Sequence, residues 1–241
     1  MSQLLESFEK TYVINLPNRA DRRRALIHQF EQLGYDGDDP RIEIFPAVRP
    51  TEADGFPSVG KRGCFLSHYG VIRRAIEAGH RRILVMEDDC LLLPSMSTHG
   101  DALLKQLDDQ PWDIAYLGHD EPWVRERPIG WHRRIERRQS FGTHLLAVQG
   151  ECLDALAEYM RLCNERPAGH PEGGRMGADG TYEMFRKLHT DRVVLFCNPA
   201  LAGQRKSRSD VTTTWFDRVP GLRTMAGWVR HVRGTRAGRL T

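Results

Sequence analysis

Apolar residues along this chain follow two rhythms that alternate from one end to the other. Residues 11–16 (TYVINL), 42–48 and 83–86 (ILVM) are short runs rich in β-branched or apolar side chains, each ended by a proline or a charge, and each reads as a strand. Between them the spacing turns helical. Leu26, Ile27, Phe30 and Leu33 share one face before Gly34, behind a capping-box pattern of Asn18 and Asp21. Cys64, His68, Val71, Ile72 and Ala75 fall at i, i+4, i+7, i+8 and i+11, which predicts a helix from about 63 to 78 stopped by Gly79. The alternation continues with a helix through Leu103, Leu104 and Leu107, extended segments at 113–118 and 143–148, and a helix carrying Leu153, Leu156, Tyr159, Met160 and Cys163. After a Gly/Pro-rich loop at 167–180 come a short helix at Met184, Phe185 and Leu188 and a strand at 193–197. Strands alternating with helices predict an α/β fold with a mostly parallel sheet, and the wholly apolar ILVM reads as a strand covered on both faces.

Length and composition bound this picture. The 241 residues suit one large domain. Counted with glycine and without tyrosine, apolar residues make up about 47%, the ordinary globular value, which excludes intrinsic disorder. No stretch reaches the ~18 apolar residues of a membrane span, and MSQLLESFEK lacks the features of a signal peptide, so the expected compartment is the cytoplasm. Five cysteines, odd in number and never in C-x-x-C spacing, read as small buried hydrophobes. The net charge of +3 is uneven: residues 218–241 carry six arginines and no acid, leaving 1–217 at −3. The expected organisation is therefore a catalytic body over 1–217 and a basic amphipathic tail over 218–241.

Three segments carry candidate chemistry. Glu87-Asp88-Asp89 follows the buried ILVM strand directly, where ligands bind in open α/β sheets, and three crowded acids there call for a cation. Mg²⁺ or Mn²⁺ suits such carboxylates together with a diphosphate; the competing reading is a solvated acidic turn. Gly63-Cys64-Phe65-Leu66-Ser67-His68 opens the predicted helix behind Lys61 and Arg62, a place for phosphate. There Ser67 is a candidate for substrate contact, and His68, on the apolar stripe, is either a core histidine or a binding residue. The segment 15–23 (NLPNRADRR) again joins a strand end to a helix start, where a nucleotide is often received. Residues 123–138 interleave aromatics with six arginines, but Glu126, Glu136 and the acidic body oppose a continuous nucleic-acid surface, and no nucleic-acid partner is expected.

Taken together these residues resemble glycosyltransferase family 25, the bacterial lipooligosaccharide β-galactosyltransferases and their collagen-modifying relatives. The resemblance rests on V-I-N-L-x-x-R-x-x-R at 13–22, with Asn15, Leu16, Arg19 and Arg22, on G-C-x-L-S-H at 63–68, and on Glu87-Asp88-Asp89. It continues through Gly142-Thr143-His144, Asp179 ahead of a short helix, and Gln204 with Ser209-Asp210. It implies a GT-A-like, Rossmann-type domain that uses a UDP-sugar and Mn²⁺ or Mg²⁺ and transfers a hexose, galactose by family habit, with inversion to a glycan or glycolipid acceptor. On that reading Asp89, with Asp88, holds the metal, and Glu87 or Asp88 binds the ribose or supports the metal ligands. Asp179 is the base with Glu183 as the alternative, Lys206 clamps the diphosphate, and His144 is a further metal-ligand candidate. A degenerate transferase that only binds sugar nucleotides or glycans is the rival. The tail, with Trp215, Phe216, Trp228 and Val229 among its arginines, suits either an anionic membrane surface at the inner face of the membrane or a helix packed on the body.

Overall fold

A computed structural model of the chain describes residues 2–133 and 142–205. In chain order its elements are β1 (Lys10–Asn15), α1 (Ala20–Gln32), β2 (Ile42–Pro46), α2 (Val59–Glu77), β3 (Arg82–Glu87), β4 (Cys90–Leu92), α3 (Pro94–Asp108) and β5 (Ile114–Gly118). There follow α4 (Pro122–Arg125), β6 (Gly130–Arg133), β7 (Leu145–Gln149), α5 (Cys152–Glu165), α6 (Ala178–Leu188), β8 (Val194–Asn198) and β9 (Ala202–Gln204). The main sheet runs in the order β2-β1-β3-β7-β5-β8-β6, with β4 and β9 paired beside it. Strands β2, β1, β3, β5 and β8 share one direction, while β7 runs against β3 and β5 and β6 runs against β8. The α/β class with a mostly parallel sheet holds, interrupted by those two strands.

The side-chain pattern explains the layering. In β3, Ile83 and Val85 enter the core shared with α2, α5 and α6, whereas Leu84 and Met86 enter the core shared with α1 and α3. All four are fully buried, each worth roughly 1.5–3 kcal/mol. Burial on both faces, not parallel pairing, makes this strand apolar, because β7 reads as apolar and is antiparallel.

Local corrections follow. Helix α2 starts at Val59, four residues before the predicted start at 63, with Ser58 as its N-cap accepting from the Lys61 N–H at 3.1 Å. Helix α1 starts at Ala20 behind Arg19, with no side-chain cap, so the Asn18/Asp21 pattern is not used. The short elements β4, α4, β6 and β9 carry too few residues for a readable period. Within 123–133 both indoles are spent inside the chain, Trp123 on Glu121 and the Phe196 ring and Trp131 on the Leu103 carbonyl. Among the described residues no helix is long and apolar enough to cross a membrane.

Candidate active site

The site is built where strand ends converge. Parallel pairing in the register Ile14 to Glu87 delivers Asn15 and Glu87-Asp88-Asp89 to the same edge of the sheet. Because β7 runs the other way, it is its beginning that reaches this edge, and the Glu87 N–H donates to the His144 carbonyl at 3.0 Å. The β4–β9 ladder pairs Cys90 with Gln204 and so brings Gln204 beside Asp89.

The three adjacent carboxylates have different fates. Asp88 is buried and both its oxygens are taken, one by Arg22 Nη1 at 2.8 Å and the other by Asn15 Nδ2 at 2.8 Å. The Asn15 and Arg22 side chains that the sequence assigned to substrate thus hold Asp88, and each Asp88 oxygen already accepts one hydrogen bond. Leu16 is half-buried with its carbonyl accepting from the Arg19 N–H, and the Arg19 guanidinium grips Asp21 at 2.9 and 3.0 Å.

Glu87 turns the other way. Its Oε1 accepts from the Thr143 hydroxyl at 2.6 Å and faces His68 Nε2 at 3.3 Å. Burial alone would raise its pKa, but the bonds from His68 and Thr143 outweigh burial and keep the carboxyl ionised well below the usual range. Asp89 lies between these arrangements. Its Oδ2 accepts from Gln204 Nε2 at 3.1 Å, and its Oδ1 is buried with no hydrogen-bond partner. Burial and the neighbouring Glu87 charge push this carboxyl up to about 7, against the pull of Arg22. A buried anionic oxygen without a donor is what a hard divalent cation takes, so Asp89 Oδ1 fits a metal better than the already bonded Asp88 oxygens. His144 Nδ1, just ahead of β7, is likewise buried and unpartnered.

Helical geometry divides the 63–68 box into two rows. In one row, Gly63 and Ser67 dock the segment after β2: a Cβ on Gly63 would come within 2.7 Å of the Val48 carbonyl, and Ser67 Oγ accepts from the Val48 N–H at 2.9 Å while donating to the Gly63 carbonyl at 2.6 Å. Ser67 is therefore a buried clamp whose hydroxyl is occupied by chain atoms. Since the box lies one turn inside α2, its amides belong to the helix and the expected phosphate cradle at Gly63 is absent. In the other row, Cys64 and His68 face Glu87. The fully buried His68 also places Nδ1 3.4 Å from the Tyr182 hydroxyl, so it orients Glu87.

Of the two candidate bases, Asp179 sits in the first turn of α6, a little under a third exposed. Its Oδ1 accepts from the Gly142 N–H at 3.2 Å and lies 3.3 Å from the Thr143 hydroxyl, and Lys61 Nζ stands 3.7 Å from Oδ2. Glu183, the alternative base, is buried and held by Arg186 at 2.8 Å and Lys187 at 3.2 Å within α6. Lys206, Ser209, Asp210 and the tail over 218–241 lie outside the described residues. Thr143, which joins Glu87 to Asp179, was not singled out from sequence as a site residue. Its only signal is the G-T-H triplet ahead of a strand, and nothing local reveals that β7 is inserted antiparallel beside β3.

A family model described as glycosyltransferase family 25 (LPS biosynthesis protein) matches residues 8–127, which include Asn15, the 63–68 box and Glu87-Asp88-Asp89 but end before Thr143 and Asp179. A protein of Aedes aegypti named a glycosyltransferase 25 family member is 29% identical, over 58% of this chain and 26% of its own length. One of Bos taurus named a probable inactive glycosyltransferase 25 family member 3 is 26% identical, over 51% of this chain and 24% of its own. The chain thus spans about a quarter of the length of these curated relatives. Among solved structures, a glycosyltransferase involved in the glycosylation of the major capsid of PBCV-1 superposes with a TM-score of 0.51 at 13% identity, covering 83% of this chain and 93% of that one, a likeness of fold.

Proposed function

The chain belongs to glycosyltransferase family 25, and from that premise and the geometry at the strand ends we propose an active transferase. It moves a hexose, galactose on the resemblance, from a UDP-sugar to a hydroxyl of a glycan or lipooligosaccharide acceptor, with inversion and with Mn²⁺ or Mg²⁺. The observation that carries this is Asp89, a buried carboxylate whose Oδ1 has no partner and whose Oδ2 is fixed by Gln204. Bound at Asp89, the cation supplies positive charge against the departing diphosphate.

The chain's own groups do the rest. Asn15 and Arg22 lock Asp88 and so fix the turn that presents Asp89. The Thr143 hydroxyl has one proton, and its shorter contact is to Glu87, so Glu87 is held ionised and oriented while Asp179 keeps acceptor capacity. Asp179, partly exposed at the start of α6, takes the proton of the acceptor hydroxyl as that oxygen attacks the anomeric carbon from the side opposite the leaving group. Lys206 clamps the diphosphate and Ser209 and Asp210 bind substrate in this reading, which places the enzyme in the cytoplasm with the basic tail against anionic lipid. Sedimentation with anionic and neutral liposomes, for the full chain and one ending near 218, tests the tail: anionic preference lost on truncation supports it, and equal partitioning removes it.

The second reading is a sugar-nucleotide-binding module without turnover, raised by the relative named inactive. The presence of Glu87 and Asp179 joined through Thr143, with Asp89, two residues from Glu87, held by Gln204, favours catalysis. The deciding experiment screens a panel of UDP-sugars for UDP release with Mn²⁺ and with EDTA. Metal-dependent release with one sugar is expected; binding without release under every condition supports the module instead.

A further inference from the structure

Cys64, His68 and Glu87 place a thiol sulfur, an imidazole nitrogen and a carboxylate oxygen all within 4.8 Å of one another. Cys64 and His68 are one helical turn apart on α2, and Glu87 ends the strand beneath them. We propose that these three residues form a second cation site, which takes a soft or borderline divalent ion such as Zn²⁺ and is distinct from the hard-cation position at Asp89. Tetrahedral zinc with bonds of about 2.0–2.3 Å sets its donors roughly 3.4–3.8 Å apart, so the triad closes on an ion by side-chain rotation alone.

The surroundings suit the role of each donor. Nε2 of His68 faces Glu87, while Nδ1 faces the Tyr182 hydroxyl, the outer partner that a metal-bound imidazole uses to fix its ring. Burial and the nearby Glu87 and Asp179 charges hold the Cys64 thiol well above its usual range in the metal-free chain, against the Ala178 N–H that points at the sulfur, so a bound ion displaces the thiol proton. His68 is fully buried, but Cys64 and Glu87 are half-buried, so an ion has a way in from the surface. Three protein donors leave a fourth position for water or a phosphate oxygen, and the thiolate selects zinc or cobalt over manganese and magnesium. Binding stands independently of the proposed transfer. Only its consequence, inhibition because Glu87 is withdrawn from Thr143 and His68, rests on that reading.

Cobalt(II) titrated into the full chain tests the site. A sulfur-to-cobalt charge-transfer absorption is expected, displaced by Zn²⁺ and unaffected by Mn²⁺. Asp89→Asn keeps the band; Cys64→Ser loses it and weakens Zn²⁺ binding more than about 100-fold, beyond the loss expected for an outer partner. In the unaltered chain Zn²⁺, and not Mn²⁺, protects Cys64 from maleimide, a readout that needs no variant to fold. A cobalt complex without the charge-transfer band, the same band in Cys64→Ser, or labelling of Cys64 at equal rates with and without Zn²⁺ overturns the proposal.

Discussion

On one side of the β3 end, Asn15, Arg22 and Asp88 form a polar unit in which both carboxylate oxygens have short, near-neutralising partners. On the other side, Glu87, Thr143 and Asp179 share one hydroxyl proton between two carboxylates, and Asp89 keeps a buried oxygen with none. These groups come from the same few residues of sequence and the same strand ends. They differ in hydrogen-bond saturation, and saturation separates groups that hold the fold from groups left with capacity for a ligand.

The largest effects belong to the unsaturated side. Asp179→Asn is expected to lower transfer by ~10²–10⁴-fold, the range for loss of a general base, with UDP-sugar affinity nearly unchanged because the group acts on the acceptor. Glu183→Gln should change mainly stability, since it removes charge from a buried pair with Arg186 and Lys187. A dead Glu183→Gln beside an active Asp179→Asn reverses the assignment. Asp89→Asn should cost at least ~10²-fold in turnover while the fold persists. Full activity in excess EDTA would dissolve the distinction between the two sides.

Stability should show the mirror image. Asp88→Ala takes from buried Arg22 its 2.8 Å carboxylate partner, leaving Asp89 Oδ2 at 4.0 Å, and is expected to cost about 1–3 kcal/mol in urea unfolding, the scale for a buried polar group that loses its hydrogen-bond partner. In metal-free buffer Asp89→Asn should cost less than about 1 kcal/mol, because it removes a burial-strained charge with an unpartnered oxygen. Equal losses in the two variants would mean that saturation does not sort these residues.

How much of this was legible in the sequence follows from the range of each interaction. The acids at a strand end and the helix through His68 are local patterns, and both are found where the sequence places them. The partition of Glu87, Asp88 and Asp89 is not local. It depends on Arg22 of α1, Thr143 ahead of β7 and Gln204 of β9, the last on a strand ladder of three residues. Ser67 misled for the same reason: its partner, the Val48 N–H, lies in a loop whose path no periodicity records. Cys64, read only as a small hydrophobe, proves half-buried beside Glu87 because α2 crosses the strand ends.

Acid sharpens the comparison through His119, which follows β5. Its Nε2 lies 2.8 Å from the Cys197 carbonyl and its Nδ1 accepts from the Glu121 N–H, an arrangement that needs the neutral ring. Burial lowers its pKa from 6.5 to about 4. A folded pKa below the unfolded one means a contribution present above pH ~6.5 and lost as pH falls through ~4, here about 3 kcal/mol at ~1.4 kcal/mol per unit. The urea midpoint of the unaltered chain should therefore fall over that window more steeply than that of His119→Gln. Parallel slopes would show that His119 is not held neutral.

The smallest effect separates a clamp from a ligand contact. Ser67 Oγ accepts from the Val48 N–H and donates to the Gly63 carbonyl, and it is fully buried. Ser67→Ala removes the acceptor and leaves the Val48 N–H without it, a loss expected at about 1–2 kcal/mol in stability. The KM for UDP-sugar should stay within about twofold, because the hydroxyl touches only chain atoms, and a uniform binding loss is what a true substrate contact would show. A raised KM with unchanged stability would move Ser67, and the helix row it shares with Gly63, from the saturated part of the molecule to the ligand side.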